Sequence, residues 1–135
     1  SEVAAWSITN IAGLSIKSFF EHYGKCTDED LQAMYNEVKN SAYEIIQKKG
    51  ATYYAIATAV ARIVECISGG ENSVLTISSV LNGEYGIEDI SLSVPTQVSG
   101  YGVERILDVP FNEIELQGLR SIAKTLKDSL KSIGF

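Results

Sequence analysis

Few side chains in this sequence of 135 residues are equipped for chemistry. His22 is the single histidine. It stands between Glu21 and Tyr23 with no Ser or Cys nucleophile pattern around it, and it reads as a solvent-facing ring. Cys26 and Cys66 lie far apart without a C-x-x-C, and with one histidine they cannot make a zinc site of usual spacing. They read as two reduced thiols of a cytosolic protein. Glu88 and Asp89 are paired acids just past a turn, most simply solvated. No G-x-G-x-x-G follows a strand, and there is no Walker A, H-E-x-x-H or G-x-S-x-G motif. The glycines of "SGYG" and "YGVER" have no helix after them and are turn glycines rather than a phosphate cradle. The residues supply no complete catalytic set and no metal site.

One hydroxyl stands apart. "QKKGATYY", residues 47–54, interrupts two stretches that both read as helix. Gly50 gives backbone freedom and removes a side chain, Ala51 keeps the space small, and Thr52 offers a group that both donates and accepts. This is either the lip of a ligand pocket or a plain helix kink in which Thr52 bonds its own preceding turn. The pattern by itself favours the kink.

The elements that must position this stretch follow from hydrophobic period. "SIKSFF" (15–20) starts a short helix expected to bury Ile16, Phe19 and Phe20. Thr27 is a good N-cap, followed by Asp28, Glu29 and Asp30 in the first turn, where the helix dipole favours acid. Leu31, Met34, Tyr35, Val38, Ala42, Ile45 and Ile46 then step by three and four along one face, and Lys48, Lys49 and Gly50 close the helix. Ile56, Ala59, Val60, Ile63, Val64 and Ile67 repeat the stepping. With Arg62 the only charge from Ala51 to Val64, this second helix is expected to be buried on most sides.

After "SGGENS" the period changes. "SVLTISSVL" (73–81), "IEDISLSVP" (87–95) and "GVERILDV" (102–109) read as strands, with Asn82-Gly83 a hairpin signal and "TQVSGYG" a Gly-rich turn. Asn112 caps a last helix whose apolar stripe is Ile114, Leu119, Ile122, Leu126, Leu130 and Ile133. The fold class is α+β: long helices packed on a small antiparallel sheet with a closing C-terminal helix. Hydrophobic residues at 45% and charged residues at 21% are ordinary globular usage, which argues against disorder. A formal charge of −6, with acid spread along the chain, argues against a nucleic-acid partner or an anionic membrane. No apolar run approaches a membrane span, and "SEVAAWSITN" lacks the pattern of a signal peptide.

Two long stretches, "SAYEIIQKKGATYYAIATAVARIVECI" and "NSVLTISSVLNGEYGIEDISLSVPTQVSGYGVERILDVPFNEIE", resemble the C-terminal half of bacterial L-lactate dehydrogenases, in the lactate/malate dehydrogenase superfamily. The resemblance runs from Ser1 to Phe135 and keeps the order of every element above. It implies that residues 1–135 form the substrate-binding domain of a subunit whose NAD-binding Rossmann domain is not in this chain. It also implies that the catalytic His, in a G-E-H-G-D motif just before Ser1, and the Asp and Arg residues upstream lie outside it, so no catalytic residue is assigned here.

On the same grounds Thr52 borders the substrate carboxylate and Ala42 lines the same pocket. Ile56 packs on the nicotinamide ring, where an apolar wall excludes water. Tyr43 matches a position noted for tyrosine phosphorylation, with a buried or interface tyrosine the simpler reading. The implied reaction is hydride transfer between NADH and pyruvate to give L-lactate in fermentative glycolysis, by a cytoplasmic homotetramer. Related bacterial malate dehydrogenases tend to carry Gly-Ser-Ala where this chain has Gly50-Ala51-Thr52, which leans toward lactate. The alternatives are a malate or other 2-hydroxyacid dehydrogenase, or a stand-alone interaction domain without chemistry.

Overall fold

In a computed structural model, which describes residues 2–134, the chain is α+β, as its pattern implied. A short extended strap with a 3-10 turn at Trp6–Ile8 opens it. A small hairpin follows, β1 (Asn10–Ile11) and β2 (Leu14–Ser15). Ala12 and Gly13, at φ 53° and 83°, supply the two positive φ angles that a tight hairpin turn needs. The helices are α1 (Ile16–Tyr23), α2 (Asp28–Lys49) and α3 (Tyr54–Ser68). The meander β3 (Ser73–Asn82), β4 (Glu88–Ser99) and β5 (Gly102–Ile106) forms an antiparallel sheet in the order β3-β4-β5, and α4 (Glu113–Ser132) closes the fold.

The helix ends are where local chemistry puts them. Thr27 Oγ1 accepts the Asp30 backbone N–H, and the Asp30 carboxylate accepts the Thr27 N–H, a reciprocal capping box. These bonds, to backbone first, hold the Asp30 carboxyl below its ordinary value. Asn112 and Glu115 build the same device at the start of α4. Gly50 ends α2 in the left-handed region, at φ 78°, and its N–H returns to the Ile46 carbonyl at 2.8 Å.

The core sits between one face of the sheet and α4. On β3 and β4 the covered face is built from opposed pairs, Leu75 with Thr96, Ile77 with Val94, Ser79 with Leu92 and Leu81 with Ile90. Leu81 and Val94 are fully buried, and Leu119 and Ala123 of α4 are buried with them, while Val98 is fully buried further along β4 beside Cys66 of α3. Each of these Val and Leu side chains stabilises the fold by about 1.5–3 kcal/mol against leaving it in water. Tyr85 seals the end of this core. Its phenol donates to the Leu107 carbonyl, accepts the Val109 N–H at 3.4 Å, and lies against Phe111.

Several expectations are corrected. β4 does not stop at Pro95 but runs through "TQVS", leaving Gly100 and Tyr101 as the turn. The Pro95 carbonyl accepts the Leu107 N–H at 2.9 Å, so the ring nitrogen also faces the end of β5, where no ladder bond is required of it. β5 ends at Ile106 rather than Val109. Asn82-Gly83 leads into a 3-10 turn, Glu84–Gly86, rather than a two-residue hairpin. Ile16, Phe19 and Phe20 are half-buried, and Ile114 is exposed at the first turn of α4.

The largest correction concerns α3, expected to be buried on most sides. Only Cys66 is buried, while Ile56, Val60 and Val64 are more than half exposed. No residue of α2 is buried either. The apolar stripes are real, but the described residues do not cover their outer faces.

Candidate functional site

The link between α2 and α3 consists of Gly50, Ala51, Thr52 and Tyr53. A left-handed residue at the end of α2 turns the chain out of the helix axis, and a Cβ placed on Gly50 would meet nothing within 4 Å. Gly50 is thus required by backbone conformation, not by crowding. Thr52 is half-buried and lies outside both helices. Its hydroxyl makes no hydrogen bond among the described residues, so it does not bond a preceding turn as a plain kink would have it.

The other carried-over positions lie on either side of this link. Ala42 is exposed on α2, two turns before its end. Ile56 is in the first turn of α3, 62% exposed. Tyr43 is 68% exposed on α2, not buried. No hydrogen bond or ring contact joins these four residues to one another among the described residues. Ala42 and Ile56 are apolar and uncovered, and Thr52 and Tyr43 each carry a hydroxyl without a hydrogen bond among the described residues; the four offer packing and polar contacts but no carboxylate, imidazole or thiol.

The residues with reactive atoms stay out of it. His22 is exposed, with Nδ1 2.9 Å from the Ser18 carbonyl. Partial desolvation, then Asp30 and Asp28, push the Cys26 thiol up, which makes it a poor nucleophile. Cys66 is buried, its thiol 3.6 Å from the Val98 carbonyl. Glu88 and Asp89 are exposed. Among the described residues no group of three or more His, Cys, Asp or Glu is placed to hold a metal ion. No helix among them is long and apolar enough to cross a membrane.

The foot of α3 is tied to the sheet by charge. Arg62 donates to the Glu71 carboxylate at 2.6 Å and to Ser73 Oγ at 3.3 Å. The Arg62 and Ser73 hydrogen bonds hold the Glu71 carboxyl below its ordinary range, and Glu71 in turn raises Arg62. Both side chains are close to half exposed, so the pair fixes geometry more than it adds stability.

A second feature escaped sequence reasoning. A groove of about 600 Å³ runs between the strap, the sheet and α4, lined by Val3, Ile8, Val94, Phe111, Leu119 and Ile122 among others. None of Ala42, Tyr43, Thr52 or Ile56 lines it. Glu115 does, at 6% exposure, and it holds the strap down: it accepts the Ser7 N–H at 2.8 Å and the Ser7 hydroxyl, besides the Asn112 N–H at 3.1 Å. The N-x-x-E spacing of Asn112 and Glu115 marks a capping box in sequence, but nothing local announces a partner 108 positions away.

Comparison with known proteins places this arrangement. Residues 1–134 match the family model of the lactate/malate dehydrogenase alpha/beta C-terminal domain. The chain is 52% identical over 134 residues to the L-lactate dehydrogenase of Acetivibrio thermocellus, covering 98% of this chain and 42% of that protein. Among solved structures it is similar to the minor L-lactate dehydrogenase of Enterococcus mundtii in its ligand-bound form, at TM-score 0.91 and 40% identity, covering 97% of this chain and 42% of that one. It is similar also to the malate dehydrogenase of Archaeoglobus fulgidus in complex with NADH, at TM-score 0.75 and 31% identity, covering 85% and 39%. The chain spans about two fifths of the length of the curated relatives it matches.

Proposed function

The chain belongs to the lactate/malate dehydrogenase C-terminal domain family, and from that premise we propose that it forms the substrate-side part of an NAD-dependent L-lactate dehydrogenase. The substrate is pyruvate, the product L-lactate, and the setting is fermentative glycolysis in the cytoplasm. The complete subunit pairs this domain with a Rossmann domain and assembles as a homotetramer. The proton donor and the groups that grip and polarise the 2-oxo acid are assigned to the part of the subunit outside residues 1–135.

One observation carries the reading. The Thr52 hydroxyl lies in a non-helical link beside an exposed apolar helix face, half-buried and without a partner among the described residues. A half-buried hydroxyl with no internal bond is free to serve a ligand. In this reading it donates to the carboxylate of pyruvate, while Gly50, Ala51 and Ala42 keep the space small enough for a three-carbon acid. Ile56 fits a nicotinamide neighbour because its side chain is apolar and uncovered, and it would hold one face of the ring and keep water off. The cofactor, when bound, supplies the hydride. Tyr43, exposed on α2, is read as an interface tyrosine, at a position where a phosphate would add negative charge to that face.

The match to a malate dehydrogenase keeps that substrate as the second reading. Steady-state rates of the complete subunit with NADH and either pyruvate or oxaloacetate separate the two. Preference for pyruvate in kcat/KM is expected. Preference for oxaloacetate would move the assignment to malate, and absence of turnover with both would overturn the dehydrogenase reading.

A further inference from the structure

Glu115 is the most deeply buried carboxylate among the described residues, and burying a charge is costly unless it is fully bonded. Here every bond it accepts is accounted for. Its Oε1 takes the Ser7 N–H at 2.8 Å. Its Oε2 takes the Ser7 hydroxyl and the Asn112 N–H at 3.1 Å. The Asn112 N–H is shared, since Ser7 Oγ lies 3.3 Å from it. An ordinary capping box needs only the Asn112 bond. The two bonds to Ser7 are additional, and they join segments 108 residues apart.

The strap is held at two further points. Val3 lies over Gly118, where a Cβ would come within 3.0 Å of Val3 Cγ2, so α4 carries a glycine where the strap crosses it. At the strap's start the Tyr35 hydroxyl of α2 donates to the Glu2 carbonyl at 3.2 Å. The strap thus ties α4 to α2, and α2 leads directly into the link that carries Thr52. The matched family is a C-terminal domain and the relatives are more than twice as long, so in them the strap's counterpart is where the rest of the subunit joins this domain.

We propose that Glu115 is a positioning residue: by fixing Ser7 it sets the course of residues 2–9, and through them the placement of the remainder of the subunit against the Thr52 surface. This rests on the reading of Thr52 in the preceding subsection. Glu115 lies in the groove under the strap, which none of Ala42, Thr52 and Ile56 lines. Its effect passes through the strap.

The test uses the complete subunit carrying Glu115→Ala, Glu115→Gln or Ser7→Ala. Loss of the carboxylate should speed hydrogen exchange of the amides of residues 5–9 by about tenfold or more, with the amides of β4 unchanged. The KM for pyruvate should rise severalfold, and the KM for NADH, whose nicotinamide meets Ile56 beside the same link, should rise with it. Glu115→Gln, which keeps an acceptor for the Ser7 N–H, should restore part of both effects, and Ser7→Ala should shift both in the same direction by less. A merely structural residue would lower the folded fraction, and hence apparent kcat, with both KM values unmoved.

Unchanged exchange in the strap would overturn the proposal, as would fast exchange with an unchanged pyruvate KM. Should Glu115→Ala fail to fold, Ser7→Ala decides by the same two readouts. If the unaltered subunit turns over no pyruvate, it is the functional reading that has failed, and the exchange arm alone then decides whether Glu115 holds the strap.

Discussion

Replacing Thr52 with Ala gives the sharpest separation between a residue that serves its own chain and one that serves a ligand. The hydroxyl makes no internal hydrogen bond among the described residues, so its removal leaves no internal donor or acceptor unpaired. The stability of the fold should change by about 0.5 kcal/mol or less, the usual range for a substitution away from a bonded or packed feature. In the complete subunit the same change should remove one hydrogen bond to the pyruvate carboxylate, worth about 1.5–3 kcal/mol for a charged acceptor, or roughly a 13- to 160-fold loss in kcat/KM. Initial rates of NADH oxidation over a range of pyruvate concentrations measure the second quantity, and urea unfolding measures the first. Thr52→Ser keeps the hydroxyl and should recover most of the loss. An unchanged kcat/KM would remove Thr52 from the substrate. A stability loss above about 1 kcal/mol would show that the hydroxyl has a role inside the fold, and the reasoning would fail at its first step.

Three further outcomes follow from the geometry. Tyr85→Phe leaves the Leu107 carbonyl and the Val109 N–H without their partner and should cost about 1–3 kcal/mol in denaturant unfolding. Burial raises the Tyr85 pKa above its ordinary 10.0, so this stabilising contribution is complete below pH 10.0 and is lost as pH rises through the folded-state value. Thermal melts of Tyr85→Phe should show a shallower alkaline decline than the unaltered chain. Gly50→Ala forces a Cβ into the left-handed region with no clash to blame, and should destabilise by about 1 kcal/mol, with Gly50→Asn costing less. Residues 1–135 alone expose Val38, Ile56, Val60 and Val64 and should self-associate in sedimentation velocity, without pyruvate turnover; a monomer at high concentration, or saturable activity, would contradict this.

What could be read in the sequence was what short range decides. Thr27, Asn112 and Gly50 act on backbone groups within four residues, and each sits where its chemistry said it would. The α3 stripe was equally legible as a stripe, but period says which residues share a face and not what covers it. Burial of Ile56, Val60 and Val64 was therefore inferred from composition and is not found. β4 ran past Pro95 because the direction of one ring nitrogen, set by the pairing of Leu107, cannot be seen in a list of residues. The Ser7–Glu115 tie was hidden for a similar reason: Glu115 has a sufficient local role in its capping box, and its bond to Ser7 exists only once the fold has formed. For Thr52, position and freedom from internal bonding emerge from the geometry, while its role came from resemblance.

Every buried residue among those described lies between Cys66 and Ala123, and α1 and α2 contribute none. Cohesion in this polypeptide is therefore lopsided. A screen that scores variants by melting temperature would register core damage in the meander and the last helix, and from the first fifty residues little beyond the turn, cap and Ser7 positions. Harmful changes elsewhere in that stretch would pass as neutral until the chain was asked to meet another surface.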